Sequence, residues 1–387
     1  MTIGDLGKVV TGKTPSTKSD ILWNGSIPFI TPKDIQGLKH IVRTERTVTQ
    51  VGANTVKGSI IPPNAICVSC IGNIGYAGMT TQWSITNQQI NSIIVNKEND
   101  ANFVYYLIRG LWKFFKNYEG QSTTLSILNK SQFSKIEVEI PSLEKQKKIA
   151  AILSSIDAKI EVNQKINDNL EQQAQFYFQE LFVDNASPEW TTGTISDLGT
   201  VVGGSTPSKS KPEYYTESGI AWITPKDLSI NKSKFVSHGE NDITELGLKN
   251  SSAAIMPEGT VLFSSRAPIG YIAIAAGEVT TNQGFKSVVP KPEIGTPFVY
   301  FFLKNTLPVI EGMASGSTFK EVSGSTMKNV PAVIPDAETL AKFSDFCAPI
   351  FEQQRTLEEQ NQSLAKLRDS LLPKLMSGEI DASGVQL

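Results

Sequence analysis

Three cysteines and two histidines in 387 residues leave almost no material for a disulfide framework, a zinc cage or a haem site. So little thiol reads as a protein of a reducing compartment. No run approaches the roughly 18 consecutive apolar residues of a membrane helix, and residues 1–10 lack the basic start and apolar core of a signal peptide. The expected location is the cytoplasm, with no membrane partner. A strong charge of one sign is missing as well: 36 Lys and Arg stand against 38 Asp and Glu, short of the very basic profile of many nucleic-acid domains. What remains is an ordinary globular composition, 40% hydrophobic and 19% charged. This excludes disordered, collagen-like and purely coiled-coil readings. At roughly 100–200 residues per domain the length allows two or three domains.

The dominant positive feature is a repeat that spans the chain. Ile3-Gly-Asp-Leu-Gly-Lys-Val-Val-Thr-Gly-Lys-Thr-Pro-Ser16 is answered by Ile195-Ser-Asp-Leu-Gly-Thr-Val-Val-Gly-Gly-Ser-Thr-Pro-Ser208 at an offset of 192 residues. Ile30-Thr-Pro-Lys-Asp34 recurs from Ile223, Ile74-Gly-Tyr76 from Ile269, Thr86-Asn-Gln88 from Thr281, and Phe103-Val-Tyr105 from Phe298, at offsets of 193 to 195. Two tandem copies of one unit account for nearly the whole length. Each copy opens with short β-branched runs between Gly- and Pro-rich turns, which read as mixed β with a few helices. Each then changes period. Ile149, Leu153, Ile156, Ile160, Asn163, Asn167, Leu170, Ala174, Tyr177 and Leu181 step alternately by four and three, a heptad seam. Phe343, Cys347, Ile350, Gln354, Leu357, Asn361, Leu364, Arg368, Leu371 and Leu375 repeat it at a constant offset of 194.

The expected fold is α+β: two tandem mixed α/β domains at residues 1–142 and 185–335, each followed by a long helix at 143–184 and 336–378, with a tail at 379–387. Ser142 and Asp336 are placed to cap, Gly378 follows the last periodic leucine, and Pro373 should weaken or kink the second helix near its end. A helix of ~38 residues is ~57 Å long and needs a partner. The simplest closure pairs the two helices antiparallel as a coiled coil about a pseudo-twofold axis, with Asn163, Asn167 and Asn361 setting register. The alternative is two amphipathic helices, each lying on its own domain.

Charge is partitioned. Residues 1–142 carry 14 Lys and Arg against 9 Asp and Glu, whereas residues 143–184 carry 5 against 7 and residues 336–387 carry 5 against 9. The first β-rich domain is the cationic part, and the acidic helices suit a protein partner better than DNA.

Two motifs tempt and fail. Gly7-Lys-Val-Val-Thr-Gly-Lys13-Thr14 fits the phosphate-loop pattern, but only six residues precede it, Pro15 follows, and Ser205 stands at the matching place in the second copy. A Gly-rich turn between strands is the competing and preferred reading over a nucleotide site on Lys13. Cys67-Val-Ser-Cys70 has no second pair to complete a metal site, so the two cysteines read as residues of a half-buried strand. His40 and His238 are isolated. No acidic pair, nucleophile elbow or methyltransferase signature is present, and no catalytic residue, metal site or bound cofactor is expected.

The Gly-x-Thr-Pro-Ser turns (residues 12–16 and 204–208), the Ile-Thr-Pro-Lys-Asp, Ile-Gly-Tyr and Thr-Asn-Gln elements and the closing Leu371-Leu-Pro-Lys-Leu-Met-Ser-Gly-Glu-Ile380 together resemble the specificity subunit of type I restriction-modification enzymes. The resemblance covers essentially the whole chain. The departure is at the start, since the segment 190–194 has no equivalent before Ile3, which points to a trimmed or alternative start. The resemblance implies a non-catalytic, DNA-binding subunit with two target-recognition domains, each reading half of a split site in double-stranded DNA. It further implies that the helices space the domains and dock two methyltransferase subunits, joined by motor-nuclease subunits. S-adenosylmethionine, ATP and magnesium would then belong to those partners. Competing classes are a phosphate-loop NTPase acting through Lys13 and a scaffold with no DNA role.

If the copies read different half-sites, shared residues should hold phosphate and divergent ones should choose bases. Lys13, Thr14, Ser16, Lys33, Thr206, Ser208, Lys209 and Lys226 are the phosphate candidates, against plain turn chemistry and solvated lysines. Divergent stretches run from Gln36 to Lys57 and around Asn231 to Lys249. Arg266, matched by Ile71, is a candidate guanine reader. Gln88, Gln89 and Gln283 are further candidates, and the amides of Asn87 and Asn282 either read adenine or satisfy backbone. Ile149, Leu153, Ile156, Ile160, Asn167, Leu170, Ile350, Leu357, Asn361, Leu364 and Leu371 are assigned to helix pairing and partner contact.

Overall fold

The computed structural model describes residues 1–35, 37–120, 126–316 and 320–384. Gln36 and the last three residues of the tail therefore lie outside the described residues. The chain forms two compact units, residues 1–162 with 361–387, and residues 163–360. Domain limits at residues 142, 184, 335 and 378 mark where the elements change. The compact units divide instead inside both long helices, because each domain packs on part of both.

The first unit is built on a five-stranded sheet in the order Gly7–Thr11, Ile90–Val95, Ile66–Ser69, Ala77–Thr80 and His40–Ile41. Its outer strand His40–Ile41 runs parallel to its neighbour and the others are antiparallel. A second sheet pairs Arg46–Val48, Trp23–Ile30, Ser84–Thr86 and Ile60–Ile61. One face of the main sheet is covered by the helix Ala101–Gly110, whose Phe103, Val104, Tyr105, Tyr106 and Ile108 are fully buried. The apolar content is high enough that burial of such side chains, at about 25 cal/mol per Å² of apolar area, holds the layers together. The second unit repeats the arrangement with the order Gly199–Gly203, Lys286–Pro290, Val261–Ser265, Ile269–Ala275 and Phe235–Val236 under the helix Thr296–Met313. In the five-stranded sheet the sequence repeat is a structural repeat, strand for strand, whereas the second sheet of the first unit is replaced in the second by two separate two-stranded pairs, Tyr215–Thr216 with Asp242–Ile243 and Trp222–Ile223 with Thr280–Thr281.

The start of the first copy is less bare than the sequence suggests. Ile3 N–H donates to the Ile136 carbonyl as Ile195 N–H donates to that of Val330, and Thr2 bonds Asp5 as Thr194 bonds Asp197. Thr2 thus stands in the place of Thr194, which corrects the reading that residues 190–194 have no counterpart at all.

The phosphate-loop lookalike is strand and turn. Its first five residues form the strand Gly7–Thr11, and no helix follows before Asp20. Gly12 is there because a Cβ at this point would collide with the carbonyl oxygen of Asn87 and the hydroxyl of Thr86, as at Gly204 with Asn282 and Thr281. Cys67 and Cys70 are fully buried in and just after the strand Ile66–Ser69 rather than half-buried. Burial pushes their thiols up to about 12 and about 11, where neither thiolate forms at neutral pH.

The helices run Leu143–Gln179 and Ala337–Ser377. Asp336 caps the second through the Thr339 N–H, and the helix continues through Pro373 to end at Gly378, at φ 78°. All the seam positions are buried or half-buried, Ile149, Leu153, Ile156 and Ile160 among them. Within the first unit Arg368 Nη1 donates to Asp157 Oδ1 at 2.7 Å and Asn361 donates to the Ile160 carbonyl. Within the second unit Gln354 donates to the Asn167 carbonyl, and Tyr177 and Phe178 pack on Phe343. Segments of the two helices therefore pair in opposite directions inside each unit.

A buried lysine latches each domain to its helix pair. Lys39, whose carbonyl accepts from Met79 N–H, donates to Ser154 Oγ at 2.7 Å and lies over the Tyr106 ring. Its counterpart Lys234 donates to Glu171 and Gln354, both at 2.9 Å, over the Phe351 ring. Burial alone would raise the Glu171 carboxyl, but Lys234 and Lys304 hold it down at about 2; burial lowers Lys234 to about 8 against the pull of Glu171. The carboxylate gains two partners while the ammonium loses more water, so both fall.

Candidate nucleic-acid interface

Each domain ends in a small platform assembled from a turn, a strand end and a capped corner. In the first unit the turn at residues 12–16 is held down by Thr14, whose hydroxyl donates to Gln88 Oε1 at 2.7 Å, and by Trp23, whose Nε1 donates to the Ser16 carbonyl at 3.0 Å. In the second unit Thr206 donates to Gln283 Oε1, Trp222 Nε1 to the Ser205 carbonyl at 3.0 Å and Tyr215 to the Pro207 carbonyl at 2.6 Å. The capped corner follows. Asp34 accepts from Thr31 N–H and hydroxyl through Oδ2 and from Glu45 N–H through Oδ1 at 2.8 Å. Asp227 does the same with Thr224 and with Glu240 N–H, again at 2.8 Å. A carboxylate that satisfies three donors fixes the loop on either side of it.

In the second unit the platform encloses a hollow of about 570 Å³ lined by Thr206, Lys209, Tyr215, Trp222, Lys226 and Asn241, with Asn282 and Gln283 among its other walls. Four of the sequence-derived candidates, Thr206, Lys209, Lys226 and Gln283, are thus brought together. Ser208 is exposed beside them and shares a bond with Ser210. Lys226 is ion-paired to Glu240 at 2.6 Å, which cancels part of its charge toward phosphate. In the first unit Lys13, Ser16, Lys33 and Gln88 are exposed and Thr14 is half-buried. Gln89 Oε1 accepts from Asn87 Nδ2 at 2.8 Å, and the amide of Asn282 accepts from Gly284 N–H. The Asn side chains hence serve the local backbone and their neighbour.

Arg266 is not brought to this hollow. It pairs with Glu321 at 3.3 Å, a carboxylate that also approaches Lys286. Sequence reasoning missed the aromatic pairs beneath the platform, Trp23 with Phe29 and Tyr215 with Trp222, each packed edge to face. It also missed Arg46 and Asn241, although both fall in the divergent stretches. Nothing in a linear pattern distinguishes them from neighbouring polar residues.

The family model of the type I restriction modification DNA specificity domain matches residues 1–172 and, a second time, residues 188–366. The chain belongs to this family. The two matches fall on the two repeats, so each platform belongs to one DNA specificity domain. The type I restriction enzyme MjaIX specificity subunit of Methanocaldococcus jannaschii is 38% identical over 192 residues, 49% of this chain and 44% of that one. The EcoR124I/EcoR124II specificity subunit of Escherichia coli is 29% identical over 269 residues, 66% of this chain and 61% of that one. The chain spans less than two thirds of the length of these relatives. The crystal structure of the type I restriction-modification S subunit of M. genitalium shares the fold, with a TM-score of 0.54 at 18% identity over 97% of this chain and 95% of that one. Among the described residues no helix is long and apolar enough to cross a membrane.

Proposed function

We propose that this chain is the non-catalytic sequence-reading subunit of a type I restriction-modification complex and binds a bipartite, asymmetric site in double-stranded DNA, one half per specificity domain. The observation that carries this reading is the platform built twice on the same frame, Thr14–Gln88 and Thr206–Gln283, with different side chains exposed around it. A shared frame suits the invariant phosphate backbone, and differing side chains suit different bases. Lys13, Thr14, Ser16, Lys33, Thr206, Ser208, Lys209 and Lys226 are assigned to phosphate contact, and Gln88 and Gln283 to base edges. Thr14 and Thr206 already engage the Oε1 atoms of Gln88 and Gln283, which leaves their amide N–H groups for base edges, and Asn87 and Glu321 likewise engage Gln89 and Arg266.

We further infer that the two long helices form one continuous antiparallel coiled coil about a pseudo-twofold axis. This is supported by the opposite-running contacts inside each unit. Its acidic outer faces would dock two methyltransferase subunits, and through them motor-nuclease subunits. In this reading methyl transfer with S-adenosylmethionine and ATP-driven translocation with magnesium occur on partners, in the cytoplasm.

The test is twofold. Purified chain should bind duplex DNA with an affinity that falls steeply with salt; salt-insensitive, negligible binding would leave only a scaffold. Co-expression with a methyltransferase subunit in an unmethylated host should then produce a split, asymmetric methylated motif, and a stable complex that yields no motif would overturn the reading role.

A further inference from the structure

Four of the six arginines are tied to carboxylates: Arg109 to Asp369, Arg266 to Glu321, Arg355 to Glu258 and Arg368 to Asp157. Among the described residues Arg43 and Arg46 have no such partner. Arg46 differs from Arg43 in being held, because its guanidinium lies 3.6 Å from the centroid of the Trp23 ring. Stacking on an aromatic face fixes the plane of the guanidinium and leaves its edge donors pointing outward. An exposed, oriented and un-neutralised guanidinium is what bidentate recognition of guanine O6 and N7 requires.

The equivalent residue of the second unit follows from the frame rather than from sequence offset alone. Glu45 and Glu240 donate their N–H groups to Asp34 and Asp227. Three residues beyond the arginine position, Thr49 and Thr244 cap short helices through Gly52 N–H and Gly247 N–H, both at 3.1 Å. With both ends pinned alike, Arg46 corresponds to Asn241. Around them Thr14 matches Thr206, Lys33 matches Lys226, and Gln88 matches Gln283. Asn241 is exposed and faces the 570 Å³ hollow. A side-chain amide is the bidentate partner of adenine N6 and N7.

We infer that Arg46 and Asn241 are paired specificity-determining residues, Arg46 selecting a guanine in one half-site and Asn241 an adenine in the other. This rests on the DNA-reading role proposed above.

The experiment selects randomised duplex DNA on the purified full chain and on Arg46→Asn, Arg46→Lys and Asn241→Arg, with thermal midpoints confirming that each variant is folded. The wild type should enrich a two-part motif. Arg46→Asn should relax one guanine by about five- to hundredfold, with the other half unchanged; Arg46→Lys, which keeps the charge and can still donate to guanine but loses the stacked fork, should relax the same guanine to a smaller extent. Asn241→Arg should relax one adenine in the opposite half. A motif unchanged in folded variants, a change in both halves, or a uniform loss of binding with the motif intact overturns the assignment. If the wild type enriches no motif, the DNA-reading role itself falls, and the assignment with it.

Discussion

At the scale of single residues, two positions show how a buried or crowded atom decides what is tolerated. Gly12 and Gly204 lie against the carbonyls of Asn87 and Asn282 with no room for a Cβ. Gly12→Ala should push the turn off Gln88 and cost about 1–3 kcal/mol, measured by denaturant unfolding, while weakening DNA binding in one half-site. Glu171, with Lys234 and Lys304 on it, is the second case. Glu171→Ala leaves Lys234 buried and unpaired and should cost about 3–5 kcal/mol. The pH dependence has a fixed sign. The Glu171 carboxyl sits at about 2 in the folded chain against 4.5 ordinarily, so its stabilisation is complete above about pH 4.5 and is lost as pH falls toward 2. Glu171→Gln should flatten that acid limb in unfolding curves, and an unchanged limb would refute the assignment. None of this was legible in sequence, because Glu171 and Lys234 are 63 residues apart and no pattern links them.

At the scale of elements, the heptad seam was fully legible: alternating steps of four and three predicted the long helices, and every seam position is at least half-buried. What the period did not reveal is how polar residues on the seam are satisfied. Asp157 holds Tyr106 at 2.6 Å and Arg368 at 2.7 Å, whereas the second unit centres its charges on Glu171. Asn167 is buried, and its side-chain amide nitrogen and oxygen have no hydrogen-bond partner. Asn167→Leu should therefore raise the thermal midpoint, since an unsatisfied buried polar group costs about 1–3 kcal/mol, while removing a register-setting polar residue. A lowered midpoint would show that the asparagine is satisfied in solution. The turn at residues 12–16 was legible as a turn, and its refusal as a phosphate loop stands on the missing helix.

At the scale of the whole molecule, the proposed reading makes the two domains independent modules. Replacing residues 1–142 by the domain of another family member should change one half of the recognised site and leave the other intact, as read from the methylated motif. A change in both halves would mean that the domains do not read separately. The duplication itself predicts this modularity, because each copy builds its own sheet and platform, while the main core of each unit also takes in Leu372 and Leu375, or Ala174 and Phe178, from the other copy's helix.

The sequence by itself determined the duplication, the change of period from strand to helix, the family and the turns that meet the strand ends. These are local or periodic properties, written in neighbouring residues and in their exact recurrence. Only the tertiary structure decided which polar residues share a platform, that Arg266 is engaged by Glu321 while Arg46 lies open on Trp23, and that both long helices are divided between the two units. Such outcomes depend on contacts between residues tens to hundreds of positions apart, and side-chain spacing along the chain carries no information about them.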